Sequence, residues 1–181
     1  MKLERADSHR IDLLIPREEI ASRILEMAVR INRDYEAREL TIVGIMSGAI
    51  LFVADLIRTL TPSIRLETLN ASSYRGTATT PGQLELNSET IPSLKDRHVL
   101  IVDDILDTGQ TLQAVTADLA SRNPASLKSA VLLWKSGRTE NGLTPDYFGF
   151  EIPDRFVVGY GLDHDGLYRN LSDICVLTTD A

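Results

Sequence analysis

Between Val99 and Thr111 the chain reads VLIVDDILDTGQT. An apolar run ends on Asp103 and Asp104, and Asp107 follows, so three carboxylates fall within five residues. The run continues as Thr108, Gly109, Gln110 and Thr111, which supplies two hydroxyls, a flexible glycine and the free N–H groups of a helix start. Hydroxyls and unpaired amides in such a turn suit a phosphate monoester. Carboxylates beside a phosphate cradle make sense when the ligand also carries hydroxyls and bound cations, as a phosphorylated sugar with Mg2+ does. Two other readings stay open on these residues alone. The acidic groups could be solvated or cap the next helix. Asp107, Thr108 and Gly109 also match the aspartic-protease triplet, although those enzymes are all-β and a helical period follows here. A P-loop, GxxxxGK(S/T), does not occur, and neither does HExxH. The dinucleotide fingerprint GxGxxG also fails, since Gly159 and Gly161 are followed by His164 where the third glycine belongs.

The elements that must hold this segment follow from hydrophobic period and punctuation. Pro16 followed by REEIASRILEMAVRINRDYE predicts a helix. Glu18 and Glu19 lie at its positive end, and Ile20, Ile24, Met27, Ile31 and Tyr35 form one stripe. LTIVGIM (Leu40–Met46) is a short β-type run that meets Ser47 and Gly48, after which AILFVADLIRTL reads as a helix. Ile64–Tyr74 alternates like a strand, Arg75–Gln83 reads as an exposed, mobile loop, and LELN as a short strand. HVLIVDD (His98–Asp104) predicts a buried strand, and Gly109–Arg122 a helix with Leu112, Val115 and Leu119 inward. SLKSAVLLW, FVVGYG and ICVLT are further strand candidates. Strands alternating with helices imply right-handed crossovers and a mostly parallel, covered sheet. The fold class is therefore α/β, and ligands of such sheets bind beyond the carboxyl ends of the strands.

The chain has 181 residues, which favours one domain. Its 43% hydrophobic and 25% charged content excludes wholesale disorder. A net charge of −7 argues against broad nucleic-acid binding, which depends on Lys and Arg neutralising phosphates. The single cysteine, Cys175, excludes an internal disulfide and a cysteine-rich zinc site. Charged residues in MKLERADSHRIDLL stand where a signal peptide needs an apolar core. The longest apolar run, Val43–Ala54, is about half of the ~20 residues needed to span a bilayer. A soluble cytoplasmic protein without a membrane partner is expected.

VLIVDDILDTGQT resembles the phosphoribosyl-pyrophosphate (PRPP) binding motif of type I phosphoribosyltransferases: four apolar residues, two acidic, two apolar, then Asp-Thr-Gly-x-Thr. The rest is similar to one branch, the hypoxanthine-guanine phosphoribosyltransferases. Ser73 and Tyr74 resemble the Ser-Tyr pair of that family's closing loop, and Leu133-Trp134-Lys135 its purine-reading lysine segment. Pro145–Leu171 resembles its C-terminal purine and metal segment, and the likeness runs from about Ile11 to Leu177.

The resemblance implies one domain over 1–181: a mostly parallel sheet flanked by helices from about 36 to 145, a small hood from about 1–20 and 146–181, and a mobile loop at about 72–83. It implies that Asp103 and Asp104 contact the ribose hydroxyls or the metal there, and that Asp107 is the general base near purine N7. Asp107, Thr108, Gly109, Gln110 and Thr111 would hold the 5′-phosphate, while Ser47, Gly48 and Arg169 would hold pyrophosphate. Lys135, Phe156, Val157 and Asp163 would bind the purine, with Asp163 also serving a second Mg2+. Lysine has donors only, so it favours a 6-oxo purine over adenine. Three positions depart from the family pattern: Asp103 stands where Glu is commoner, Gln110 where Lys is, and Ser47 where Lys or Arg is. His164 and Cys175 carry no assigned role.

The implied activity is Mg2+-dependent transfer of 5-phosphoribosyl from PRPP to N9 of hypoxanthine or guanine, with xanthine a further candidate, giving IMP or GMP and pyrophosphate. The implied assembly is a homodimer or homotetramer. Competing readings are a transferase for xanthine or a pyrimidine, an RNA-binding regulator on the same fold, and a scaffold whose loop has decayed. Net charge weakens the second. Asp103, Asp104, Asp107, Lys135, Asp163 and Arg169, all present, speak against the third.

Overall fold

The computed structural model describes residues 9–73, 84–140 and 142–179. In chain order the elements are β1 (His9–Ile15), α1 (Arg17–Asp34), β2 (Leu40–Met46), α2 (Ile50–Ile57), β3 (Ile64–Ser73), β4 (Leu84–Asn87), β5 (His98–Leu106), α3 (Gln110–Ala120), β6 (Ser126–Trp134), β7 (Tyr147–Glu151), β8 (Val157–Val158) and β9 (Ile174–Thr179). Along β2, Leu40 and Ile42 pack with α1 and α2, whereas Val43 and Ile45 pack on the other face with α3. β5 repeats the pattern, with Leu100 and Val102 on the first face and Val99 and Ile101 on the second. Strands apolar on both faces need cover on both sides. The stripe of α1 supplies part of it: Ile20, Ile24, Met27 and Ile31 are all buried.

Six strands form the main sheet in the order β4-β3-β2-β5-β6-β7. β2 pairs parallel to β3 on one side and to β5 on the other; β6 and β7 continue parallel, and only β4 runs antiparallel. The expected α/β class with a mostly parallel sheet is thus observed. The second sheet, β1-β9-β8, is antiparallel and joins both ends of the chain. The predicted loop Arg75–Gln83, with Tyr74, lies outside the described residues.

Several boundaries differ from the periodic reading. β1 is an added strand whose partner, β9, lies more than 150 residues away, so no local signal marks it. β5 runs on to Leu106 because Ile105 and Leu106 still pair with Leu133 and Trp134. FVVGYG contributes only Val157 and Val158, since Gly159 (φ 95°), Tyr160 (φ 50°) and Gly161 (φ 100°) turn the chain out of extended geometry. β7 lies in the main sheet, beside β6. Pro16 is the residue before α1, and a side chain far along the sequence caps the helix: Arg17 N–H donates to Asp173 Oδ1 at 2.8 Å.

Asp34 fastens the end of α1 to the sheet, accepting from Tyr147 Oη at 2.6 Å and Lys128 Nζ at 3.1 Å. These bonds, from Tyr147 first and then Lys128, hold its carboxyl below the ordinary 3.8. A lowered folded value means stability present above the unfolded pKa and lost as pH falls through the folded one. Asp34→Ala is expected to lower unfolding free energy by about 1–3 kcal/mol at neutral pH. In urea titrations the gap to the parent chain should narrow between about pH 5 and about pH 2.

Candidate active site

β2 leads through α2 to β3 on one side and β5 through α3 to β6 on the other, so the chain segments leaving β2 and β5 diverge at their carboxyl ends and open a crevice. A cavity of about 380 Å3 lies there. Of the residues singled out from the sequence, Ser47, Gly48, Asp103, Asp104, Asp107, Thr108, Gly109, Thr111, Asp163 and Arg169 line it. Gln110 does not; it is exposed as the first residue of α3. Lys135, Phe156 and Val157 lie outside its wall, and only Lys135 reaches it, through Asp107.

The floor is the pair Asp103 and Asp104. Asp103 is buried, and its Oδ1 accepts the Asp104 N–H at 3.0 Å; Asp104 Oδ1 accepts the Ile105 N–H at 2.8 Å. Burial pushes both carboxyls above the ordinary range. Asp103 moves further because the Asp104 charge adds to burial, whereas bonds from Asp103 and backbone amides, with the Arg169 charge, partly offset the rise in Asp104. Above them sits the turn after β2, where the Met46–Ser47 peptide is cis. The fit is tight. A Cβ on Gly48 would overlap the Asp104 carboxylate, and one on Gly161 (φ 100°) would overlap the Gly48 carbonyl. Glycine at both positions lets three chain segments meet.

Gly109, in the left-handed region at φ 93°, turns the loop into α3. The first helical bond runs from Gln113 N–H to Gly109 O, so the amides of Gln110, Thr111 and Leu112 have no helical acceptor. The carbonyls of the loop point the other way and are held by the turn after β6. Leu106 O accepts from Lys135 N–H at 2.9 Å, Asp107 O from the Thr139 hydroxyl at 3.0 Å, and Thr108 O from Glu140 N–H at 3.0 Å. Trp134 Nε1 in turn donates to Thr139 at 3.0 Å. Three consecutive carbonyls are thereby anchored on one side, and the amide side of the loop is left for an anion.

The far wall comes from the segment between β8 and β9. Arg169 Nη2 pairs with Asp163 Oδ1 at 2.8 Å, and Arg169 Nη1 donates to Gly161 O at 2.6 Å. Asp163 is therefore engaged with a cation and does not cluster with Asp103 and Asp104. Lys135 is buried, with Nζ 2.9 Å from Asp107 Oδ2 and 3.4 Å from Asp154 Oδ1. Phe156 is 52% exposed; its ring meets that of His164 edge-on at 5.3 Å, giving that histidine a place beside a candidate stacking surface. Val157 is buried in β8 opposite Val176. Ser73 ends β3 at its pairing with Leu84. Sequence reasoning missed Arg138, Asp154 and Thr139. They lie in polar turns without period, and only their approach to Asp107 and Lys135 marks them.

A family profile for the phosphoribosyl transferase domain matches residues 15–165. A hypoxanthine-guanine phosphoribosyltransferase of Staphylococcus epidermidis is 39% identical over 169 residues, covering 93% of this chain and 94% of that protein. This chain belongs to the hypoxanthine-guanine phosphoribosyltransferase family. A hypoxanthine phosphoribosyltransferase of Haemophilus influenzae is similar at 38% identity, over 92% of this chain and 94% of its own. Among solved structures, a hypoxanthine-guanine phosphoribosyltransferase from Bacillus anthracis superposes with a TM-score of 0.86 at 34% identity, covering 94% of this chain and 99% of that one. A hypoxanthine phosphoribosyltransferase from Trypanosoma cruzi, a variant in a ternary substrates complex, gives 0.84 at 40% identity, over 92% and 94%. No helix among the described residues is long and apolar enough to cross a membrane.

The raised carboxyls of this family member have a measurable consequence. A carboxyl whose folded pKa lies above its unfolded value costs the fold stability once pH rises through that folded value. Asp103→Asn keeps an acceptor for the Asp104 amide and removes the buried charge. In metal-free buffer at about pH 8 it should raise stability by about 1 kcal/mol, roughly 2–4 °C in Tm, read by calorimetry. An unchanged or lower Tm would contradict the assignment.

Proposed function

We propose that this chain is a single-domain purine-salvage transferase, moving the 5-phosphoribosyl group of PRPP to N9 of hypoxanthine or guanine with Mg2+. The products are IMP or GMP and pyrophosphate. The observation that carries the reading is one cavity in which a glycine turn, a buried and a half-buried carboxylate, an unpaired helix start and an arginine converge. Each part has a counterpart on PRPP. In this reading Asp103 and Asp104 accept from the ribose 2′- and 3′-hydroxyls, and the α3 amides with Thr108 and Thr111 take the 5′-phosphate. The amides at Ser47 and Gly48, with the fork of Arg169, take the diphosphate.

The acidic residues suit Mg2+. Among the described residues no group of three metal-ligating side chains occurs. Mg2+, however, is commonly held by one or two carboxylates together with substrate phosphates rather than by an all-protein cage. Asp103 and Asp104, both oxygen donors whose burial leaves charge to be neutralised, would serve one ion, and Asp163 a second. When bound, the metal supplies charge neutralisation for the departing pyrophosphate.

Lys135 presents only donors, so it can donate to a 6-oxo group but would meet adenine's 6-amino group with a second donor. Phe156 offers its exposed ring for stacking, and the Val157 backbone reads the base edge. As the bond from N9 to C1 forms, the C1–O bond to pyrophosphate breaks and the leaving oxygen keeps the electron pair. The proton on N7 passes to the Asp107 carboxylate. The negative charges of Asp103, Asp104 and Asp107 favour the positive charge that develops on the ribose ring. The exposed Ile50 and Leu51 of α2, beside the site turn, offer apolar surface to a second copy, and the cytoplasm is the expected compartment.

With PRPP and Mg2+, product release should be seen with hypoxanthine or guanine and not with adenine, and EDTA should stop it. Silence with every 6-oxopurine, from folded protein, would defeat the proposal. Asp107→Ala should lower kcat at least about tenfold, with little change in PRPP affinity. Lys135→Ala should raise the purine KM; an unchanged value would remove Lys135 from base recognition.

A further inference from the structure

Arg138 closes a ring of four charges behind the purine-side residues. Its Nε lies 2.9 Å from Asp107 Oδ1, and its Nη1 lies 3.2 Å from Asp154 Oδ1. Lys135 Nζ faces the same two carboxylates at 2.9 Å and 3.4 Å. Cation and anion alternate around the ring, but the two cations are not equivalent. Lys135 is buried and, in the reading above, donates to the purine. Arg138 is exposed, leans in from the turn after Lys135, and does not line the cavity.

The two oxygens of Asp107 also differ. Oδ2 accepts a well-directed hydrogen bond from Lys135. Oδ1 is buried and has no hydrogen-bond partner; the Arg138 guanidinium approaches it off the hydrogen-bond direction, as an ion pair. Removing that cation would leave a buried carboxylate oxygen unpaired, and such a group turns away rather than staying in place. The Asp107 backbone cannot follow, because its carbonyl is tied to the Thr139 hydroxyl. The side chain alone would move.

We propose that Arg138 is a positioning residue that keeps the Asp107 carboxylate aimed while Lys135 engages the purine. The inference rests on the proposed roles of Asp107 and Lys135, and the test separates the two. Arg138→Ala, Arg138→Lys, Asp107→Ala and the Arg138→Ala/Asp107→Ala double variant are compared with the parent chain, using hypoxanthine or guanine, PRPP and Mg2+. Arg138→Ala should lower kcat about tenfold or more, with the KM for purine and PRPP each within about twofold. Arg138→Lys, which restores a cation, should recover much of the loss. In the Asp107→Ala background the same substitution should change kcat less than about twofold, because a residue acting through Asp107 has nothing left to act on.

Parent-like kcat in Arg138→Ala overturns the proposal, and so does a loss of similar size in the Asp107→Ala background. A loss confined to purine KM overturns it too, since that would place the effect on Lys135 through Asp154. If Arg138→Ala does not fold, Arg138→Gln, which keeps length without the charge, takes its place: parent-like kcat from protein with the parent's Tm overturns the proposal, and a loss of about tenfold supports it. A parent chain inactive with all 6-oxopurines removes the functional reading itself, and the role of Arg138 with it.

Discussion

At the carboxyl ends of β2 and β5 the chain leaves in diverging directions, and the rest of the site depends on that divergence. Two adjacent parallel strands that deliver their loops to opposite sides leave backbone groups facing an open crevice rather than each other. The turn at Ser47 and Gly48 and the loop from Asp107 to Thr111 form its two lips, with Asp103 and Asp104 on the floor between them. The arrangement tolerates little side-chain volume at the lips. Gly48 abuts the Asp104 carboxylate, and Gly161 abuts the Gly48 carbonyl.

Charge in the crevice is distributed at some cost to the fold. Two neighbouring carboxyls, Asp103 buried and Asp104 half-buried, form the floor, each pushed upward by desolvation. Such a pair is unfavourable in the empty protein and becomes favourable when cations and hydroxyl donors arrive, a common feature of sites selected for binding rather than stability. Cations are held in reserve nearby: Arg169 is parked on Asp163 and Gly161 O, and Lys135 on Asp107 and Asp154. Each is pre-oriented, so in the proposed function less conformational entropy would be lost when a ligand replaces the resting partner.

The second sheet acts on the site through a few contacts. β1 and β9 bring the chain ends together, and Asp173, just before β9, caps α1 through the Arg17 amide. Tyr160 bonds to Asp55 of α2, and Gly161 lies against the turn that precedes that helix. The segment carrying Asp163 and Arg169 is thus pinned to the β2–α2 corner from above. The site is completed by residues whose order along the chain gives no hint that they meet.

The sequence by itself determined the α/β class, the buried strands β2, β5 and β6, and the acidic loop ahead of α3, because each rests on a local period or on residue types spaced within one turn. The short β8, the added β1 and the place of β7 were not legible, since pairing partners far along the chain and positive φ angles decided them. The same division runs through the site. Asp103 to Thr111 could be read from spacing alone, and the likeness to known transferases added Lys135, Asp163 and Arg169. Only the tertiary structure brought Arg138 and Thr139 to Asp107 and Asp154 to Lys135 and Arg138, and turned three loop carbonyls away from the crevice. Those contacts join residues from 16 to 32 positions apart, or hang on backbone direction in irregular turns. Hydrophobic period records which face of an element is buried; it carries no information about which polar group another segment will place against it.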